Sequence, residues 1–396
     1  MKGLSILLFS LCFCTRLCCH SNEQLRDNPQ IPTLQFRNIE SQMEDGILDG
    51  CISKIEYVQL NLNDSIMIAN VLDMCIAKDY IFVLPSRSND GVLQFTRTGD
   101  FIRSFGELKS RMGEIMMPQT IYTDEQHEKL YVSTFGSLFV YDLLGNCIDK
   151  IDIKRPYSYQ YLVGDNKIAE VGREYVPCTA PGIFSLGVFD LNTTDTIAIR
   201  PCDMISEVPA EITGIKQVIM SNISNGLLAH FCCSDTIFEL TASGIYPRYY
   251  LNMDNSHLSK IESYKIRNEQ EIDDTDIQLW DFIELNNYLL YRYIENGKMN
   301  LCVYDKESER FFRRVYADNL NNIVGLNRKM TMLGIGAKKG ILPFYPTKIL
   351  PKEKMAIQYY SVSEILYLKE NNKIDSVDFD DIEECDNPIL VFYYLN

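Results

Sequence analysis

The sequence has no basic excess, few histidines, one tryptophan and no long apolar run, and each shortage removes a class of function. Lysine and arginine total 38 against 54 aspartates and glutamates, giving a formal net charge of −16. That balance argues against nucleic acid as a partner, because a phosphate backbone is met by clustered Lys and Arg. It disfavours an anionic membrane surface for the same reason, and the charge serves solubility. Four histidines in all, His20 among them beside the N-terminal apolar segment, leave little for a His-rich metal centre. The G-x-S-x-G, H-E-x-x-H and G-x-x-x-x-G-K-[ST] motifs are absent. Gly334 and Gly336 form a lone glycine pair outside any strand-then-helix context and read as a turn.

Cysteine is plentiful but unpatterned. Beyond the N-terminal segment stand Cys51, Cys75, Cys147, Cys178, Cys202, Cys232, Cys233, Cys302 and Cys385, with no C-x-x-C pair among them. Their number is odd, so a complete disulfide framework is impossible. Several lie in strand-like runs, where Cys acts as a small buried hydrophobe. Cys232 and Cys233 are neighbours in such a run, and strand alternation turns their thiols to opposite faces, away from a redox role.

The longest early apolar stretch, Leu4 to Phe13, follows Lys2 and is too short to span a bilayer. It reads as a targeting segment over residues 1–19. The pattern resembles a lipoprotein signal, with Cys19 as the expected lipidated residue and Cys18 or Cys14 as alternatives. Arg16 interrupts the apolar region, and an ordinary cleaved secretion signal is the competing reading. Either way the chain is expected to leave the cytoplasm. Residues 20–50 are polar and mixed and read as a tether, leaving residues 51–396 as the folded domain.

What is abundant is strand-forming sequence. Tyr and Phe supply most of an 11% aromatic content, alongside many Ile, Val and Thr. The stretch Val92 to Phe105 (VLQFTRTGDFIRSF) reads as a β-hairpin turning at Thr98 and Gly99. Its outline returns in FVYDLLGNCIDKI, GVFDLNTTDTIAI, IFELTASGIYPRYY and CVYDKESERFFRR. Aligned on the turn, Phe95, Tyr141, Phe189, Leu240 and Tyr304 coincide, spaced 46 to 64 residues apart. That period is near the one of propeller blades. A lone four-stranded blade cannot bury both faces, whereas a closed ring of blades can. The expected fold is therefore all-β, a six-bladed β-propeller of four-stranded antiparallel blades. A β-sandwich is the alternative.

The early strand IEYVQL and the late PILVFYYL are left to close the ring. The sixth unit is divergent and is assigned Ile323–Val324, Met355 to Tyr359 and Leu366 to Leu368. The acidic stretch from Asp375 to Asp386 reads as a solvated turn, with calcium binding a distant second.

Together FTRTGDFIRSFGELKSRMGEI, SDTIFEL, YPRYYLNM, GAKKGILPFYP and CDNPILVFYYLN resemble the six-bladed, NHL-like β-propeller lipoproteins of Bacteroidota, a group without an assigned function. The likeness covers essentially the whole chain after the targeting segment. It departs at Ser110 to Ile115, where that family carries a Gly-Pro-Gly-Glu-Tyr-like turn. The resemblance implies the fold and an extracytoplasmic place, in the periplasm or at the outer membrane. It implies no catalytic residues.

Candidate site residues come from geometry. If YIFVL, LYVST, IAEVGR, LLAHF, LLYRY and MAIQY are the strands lining a central channel, they present Arg87, Ser133, Glu170, Arg173, His230, Arg292 and Gln358. Glu170, His230, Arg292 and Gln358 align, and a ring of this kind suits a polar or anionic molecule held by bidentate Arg. The competing reading is that these groups satisfy one another and channel water. Tyr175, Tyr246 and Trp280 are expected on blade-connecting loops for glycan or protein contact. The expected function is thus a non-catalytic binding or interaction module, monomeric, without cofactor, touching membrane only through a lipid anchor. The alternative is a metal-dependent hydrolase or lyase of sugar-lactonase type, in which carboxylates and an Asn hold Ca2+ at the channel mouth. Only Glu170 is placed for that.

Overall fold

The computed structural model describes residues 31–61, 68, 71–86, 91–106, 118–134, 136–153, 158–173, 183–193, 195–205, 218–231, 234–253, 277–296, 298–319, 334–336, 342–370, 382 and 387–396. Two strands precede the first blade, Thr33–Gln35 (β1) and Ile52–Gln59 (β2). Blade 1 is then Val71–Ile76 (β3), Tyr80–Pro85 (β4), Val92–Thr96 (β5) and Phe101–Phe105 (β6). Blade 2 is Pro118–Asp124 (β7), Lys129–Thr134 (β8), Ser137–Asp142 (β9) and Cys147–Asp152 (β10). Blade 3 is Ser158–Gly164 (β11), Lys167–Arg173 (β12), Ile183–Asp190 (β13) and Thr196–Ile205 (β14). Blade 4 is Val218–Ile223 (β15), Gly226–Phe231 (β16), Thr236–Thr241 (β17) and Gly244–Asn252 (β18). Blade 5 is Gln278–Leu285 (β19), Tyr288–Glu295 (β20), Lys298–Asp305 (β21) and Arg310–Asn319 (β22).

Blade 6 takes Lys348–Leu350 (β23), Met355–Tyr360 (β24) and Ile389–Leu395 (β25) from the end of the chain and β2 from its beginning. All six blades are four-stranded and antiparallel, so the expected six-bladed propeller is the fold. The hairpin repeat marks the outer half of blades 1 to 5, since Phe95, Tyr141, Phe189, Leu240 and Tyr304 all lie on third strands. Ring geometry shows in the core. Its six large apolar clusters fall at six seams, each joining consecutive blades, with Phe82 meeting Leu130 between blades 1 and 2 and Phe392 meeting Leu93 between 6 and 1.

Local chemistry explains the repeated outline. At the ends of third strands, Asp142, Asp190 and Asp305 accept backbone N–H groups two residues on (Leu144, Asn192 and Glu307, at 3.0, 2.8 and 3.0 Å), which fixes the hairpin turn. Blade 1 uses Gly99 instead. Its φ of +95° and the Gln59 carbonyl oxygen, 2.0 Å from where a Cβ would sit, demand glycine. That close approach lets Asn61 N–H bond the Gly99 carbonyl at 2.8 Å, stitching the blade 1 hairpin to the end of β2.

Residues 33–50 are not a free tether. β1 runs parallel to β18 at the outer edge of blade 4. Phe36 is fully buried edge-on to Tyr291 and Tyr293 of blade 5, and those phenols donate to the Gln35 and Phe36 carbonyls. Met43 N–H then bonds the Arg313 carbonyl on β22 at 3.0 Å. Met43 and Leu48 enter the seam between blades 5 and 6. The segment is a strap across three rims, and its burial overrides its polar composition.

Two assignments in the sixth unit also change. Its first strand is β23, and Ile323–Val324 lies outside the described residues. Leu366 to Leu368 belongs to a helix, Val362–Glu370, not a strand. Glu364 caps its start: Ser361 N–H donates to the Glu364 carboxylate at 2.8 Å, as in a capping box, and Ser361 Oγ donates to the same oxygen at 2.8 Å. Val362, Ile365 and Leu368 then fall on one buried face. Cys75 and Cys302 are buried and unbridged, and burial raises both thiols far above their usual range, Cys302 to about 12. Cys232–Cys233 and most of the acidic stretch from Asp375 to Asp386 lie outside the described residues.

Blades 4 and 5 are clamped by Glu284, which accepts from Arg248, Tyr249 and Lys306 at 2.8, 2.7 and 2.9 Å. Burial opposes ionisation of this carboxyl, but Lys306 and Arg248 outweigh it, and it titrates below its usual 4.5. Its stabilisation is complete above that value and is lost as pH falls through the depressed folded-state pKa. Glu284→Gln is expected to cost about 1–3 kcal/mol at pH 7, the worth of hydrogen bonds to a charged group. In urea titrations the gap to wild type should close below about pH 4.5; a gap constant into acid would contradict the clamp.

Candidate functional site

The channel is lined by different strands from those expected. Contacts between blades near the axis are made by the first strands: β3 meets β7, β7 meets β11, β15 meets β19, and β15 reaches β23. The strands YIFVL, LYVST, IAEVGR, LLAHF, LLYRY and MAIQY are second strands, hydrogen-bonded on both sides. Their side chains point into the seams between blades. Ser133, Glu170, His230, Arg292 and Gln358 are accordingly all buried.

Ser133, His230, Arg292 and Gln358 each have a local structural partner. Ser133 and Thr120 share a 2.6 Å hydroxyl bond, and Thr120 donates on to the Gln160 carbonyl in blade 3. Glu170 stands opposite Gln160 in the β11–β12 register. The Nε2 atom of His230 lies 2.9 Å from the Ser234 carbonyl. Arg292 and Gln358 are brought together through Tyr345. Asp281 holds the Arg292 guanidinium, the Tyr345 ring lies 3.6 Å from it, and Tyr345 OH donates to Asp281 at 2.6 Å. Gln358 accepts from Tyr345 N–H at 3.0 Å. Burial works against the charge of Arg292, but Asp281 outweighs it and keeps the guanidinium protonated. This cluster is a seam device between blades 5 and 6.

Arg87 and Tyr175 lie outside the described residues, as does the side chain of Arg173, whose backbone ends β12. Trp280 is 5% exposed, the extra residue of a bulge in β19 packed on Met299, and so is no contact residue. Tyr246 is exposed, but on the outer strand of blade 4.

The open space lies elsewhere. A cavity of about 450 Å³ is walled by turns between first and second strands: Gly164 in blade 3, Ser224–Asn225 in blade 4 and Pro351–Glu353 in blade 6. The Thr241–Ser243 turn of blade 4 adds to the wall, with Cys75 of blade 1 and Tyr122 and Thr123 of blade 2. None of the five described candidates lines it. It leads to a smaller space of about 80 Å³, and Tyr161, Asn222, Lys348 and Ile349 border both.

Lys348 on β23 forms the floor. Its ammonium donates to Asp73 Oδ1 at 2.8 Å and to the Ile121 carbonyl at 3.0 Å. Asp73 Oδ2 accepts Ile121 N–H at 2.9 Å, so one pair ties blades 6, 1 and 2. A bulge at Leu72 re-aims Asp73. Around the mouth, burial raises the Tyr161 phenol and the Glu353 carboxyl above their ordinary ranges. The buried Tyr122 hydroxyl has no hydrogen-bond partner among the described residues. Lys348 is not among the expected site residues because the sequence pattern places the first strand of blade 6 at Ile323–Val324, whereas that strand is Lys348–Leu350. The usable signal is the short run Lys348-Ile349-Leu350 stopped by Pro351.

Among the described residues no three His, Cys, Asp or Glu side chains gather as a metal site. The arrangement offers a recess of mixed lining: one ammonium, neutral hydroxyls and amides, tyrosine rings and an apolar share from residues such as Leu162, Val163 and Leu350.

Fold and recess together define a β-propeller with a channel-mouth cavity. The chain belongs to the family described as a domain of unknown function, DUF4934, whose model matches residues 34–394. No curated protein matches the sequence. Among solved structures, a Bacteroides fragilis protein whose name proposes export is 16% identical over 90% of this chain and 98% of its own, with a TM-score of 0.63. That likeness is one of fold. A Bacteroides caccae protein of unknown function is 9% identical over 71% of this chain and 82% of its own, at a TM-score of 0.38. The glutaminyl cyclase of Myxococcus xanthus is 11% identical over 67% and 95%, at 0.29. Neither of the latter two carries an argument.

Lys348→Met takes the ammonium from half-buried Asp73, which keeps only the Met74 and Ile121 N–H groups, and is expected to cost about 1–3 kcal/mol. Asp73→Asn in the same chain should recover part of it. Urea midpoints test this, and additive losses in the double variant would show that the two groups act separately.

Proposed function

We propose that this chain is an exported, non-catalytic binding module whose small polar ligand enters the channel-mouth cavity. The observation that carries this reading is the cavity itself. Its volume of about 450 Å³ falls in the ~300–1,000 Å³ range of small-molecule sites. Lys348, bonded to Asp73, stands where the cavity narrows into the smaller space. The residues are arranged to hold, not to transform: the Lys348 ammonium is already committed to two acceptors.

Export rests on the targeting pattern before His20, on the resemblance to NHL-like propeller lipoproteins of Bacteroidota, and on the name of the Bacteroides fragilis relative. In this proposal Cys19 carries the lipid anchor, the protein stands in the periplasm or at the outer membrane, and its partner there is a glycan or protein. Labelling with a tagged fatty acid should mark the wild type and not Cys19→Ala; an unlabelled mature chain would remove the anchor.

Ser224→Trp places a large ring on the turn at the cavity wall. Native mass spectrometry after incubation with a desalted small-molecule extract of the cell envelope should show an adduct on wild type and none on this variant. No adduct on wild type, or equal adducts on both, would overturn the binding reading.

A further inference from the structure

The lining of the cavity narrows the ligand class, on the premise that the cavity is the binding site. We infer that it accepts an uncharged saccharide unit, the end of a glycan or a free mono- or disaccharide.

The reasoning starts from what the wall offers. Asn222, Ser224 and Asn225 line the mouth, and their side chains make no hydrogen bond among the described residues. Thr241 and Ser243 add hydroxyls that bond each other at 2.9 Å, with Thr241 also accepting the Ser243 N–H and Ser243 the Tyr246 hydroxyl. Amides and hydroxyls both donate and accept, which matches a ligand whose own groups are hydroxyls. Tyr161 is half-buried at the neck, and its phenol likewise makes no hydrogen bond among the described residues. It combines an apolar ring with a polar tip, which suits a molecule with a C–H face and an O–H edge.

Other ligand classes fit less well. The cations at the cavity are matched by anions: Lys348 is bonded to Asp73, and Lys352 is adjacent to Glu353. A phosphate or dicarboxylate would bring negative charge to a recess already near balance. A purely apolar ligand would strip water from Asn222, Ser224 and Asn225 without replacing it, at about 1–3 kcal/mol for each group left unsatisfied. A peptide paired as an added strand needs a continuous run of unpaired backbone. This wall is assembled from turns and strand ends of five blades, which supply side chains and short backbone arcs.

Saturation-transfer NMR and calorimetry on the whole mature chain test the inference with defined probes. These are methyl glucoside, N-acetylglucosamine and maltose, set against inorganic phosphate, succinate and tetra-alanine. At least one of the saccharides is expected to bind, with Asn222→Ala weakening it tenfold or more, about 1.4 kcal/mol. Asn225→Ala, in an exposed turn, should weaken it as well and provides the reading if Asn222→Ala disturbs the fold. Binding of phosphate, succinate or tetra-alanine alone, lost in Ser224→Trp, would overturn the saccharide class and leave the cavity as the site. Silence from all three saccharides would overturn the class too. The adduct experiment on the envelope extract decides separately whether the cavity binds anything.

Discussion

The fold depends on one constraint, that the ends of the chain must meet in the same blade. β2 and β25 pair along their length, from Ile52 opposite Leu395 to Gln59 opposite Ile389. A ring of blades has no natural stop, and each blade hides its faces only while its neighbour stays in place. Closing blade 6 with β2, which leads straight into β3, ties the last blade to the first through the chain itself. The seam is then reinforced where Asn61 meets Gly99 and where Lys348 meets Asp73. The strap over blades 4, 5 and 6 extends the same solution outward.

Polar chemistry divides accordingly. In the second strands, charged and amide groups sit between apolar blade faces and must be paired, as Arg292 is by Asp281 and Tyr345. In the first strands and their turns, similar residue types border open space. A buried polar residue in this fold therefore signals a seam, and a half-exposed one near the axis signals a site.

Much of the architecture was legible, because the third-strand turn is fixed by local chemistry that leaves a residue signature: an aromatic or Leu, then Asp or Thr, then a turn. Phase was the weak point. Second strands are the most apolar and regular in each blade, and a lone Arg or His within them mimics a channel lining. First strands such as Val71–Ile76 carry bulges and mixed polarity that break alternation. The strap was unreadable for a related reason. Leu34, Phe36, Ile39, Met43 and Leu48 are all buried, yet they follow neither a helical nor a strand period, because they fit sockets on three different blades. The helix at Val362 was marked by Ser361 and Glu364, a signal outweighed by the expectation of one more strand.

Native-state hydrogen exchange measures the closure constraint most directly, since it resolves the free energy at which each strand opens. If the β2–β25 pairing holds the ring, the amides of Lys54 to Val58 and Leu390 to Tyr394 exchange only through the global unfolding that also exposes β8 and β16. Exchange of β2 through a separate, lower-energy opening, with the other blades still protected, would contradict the account.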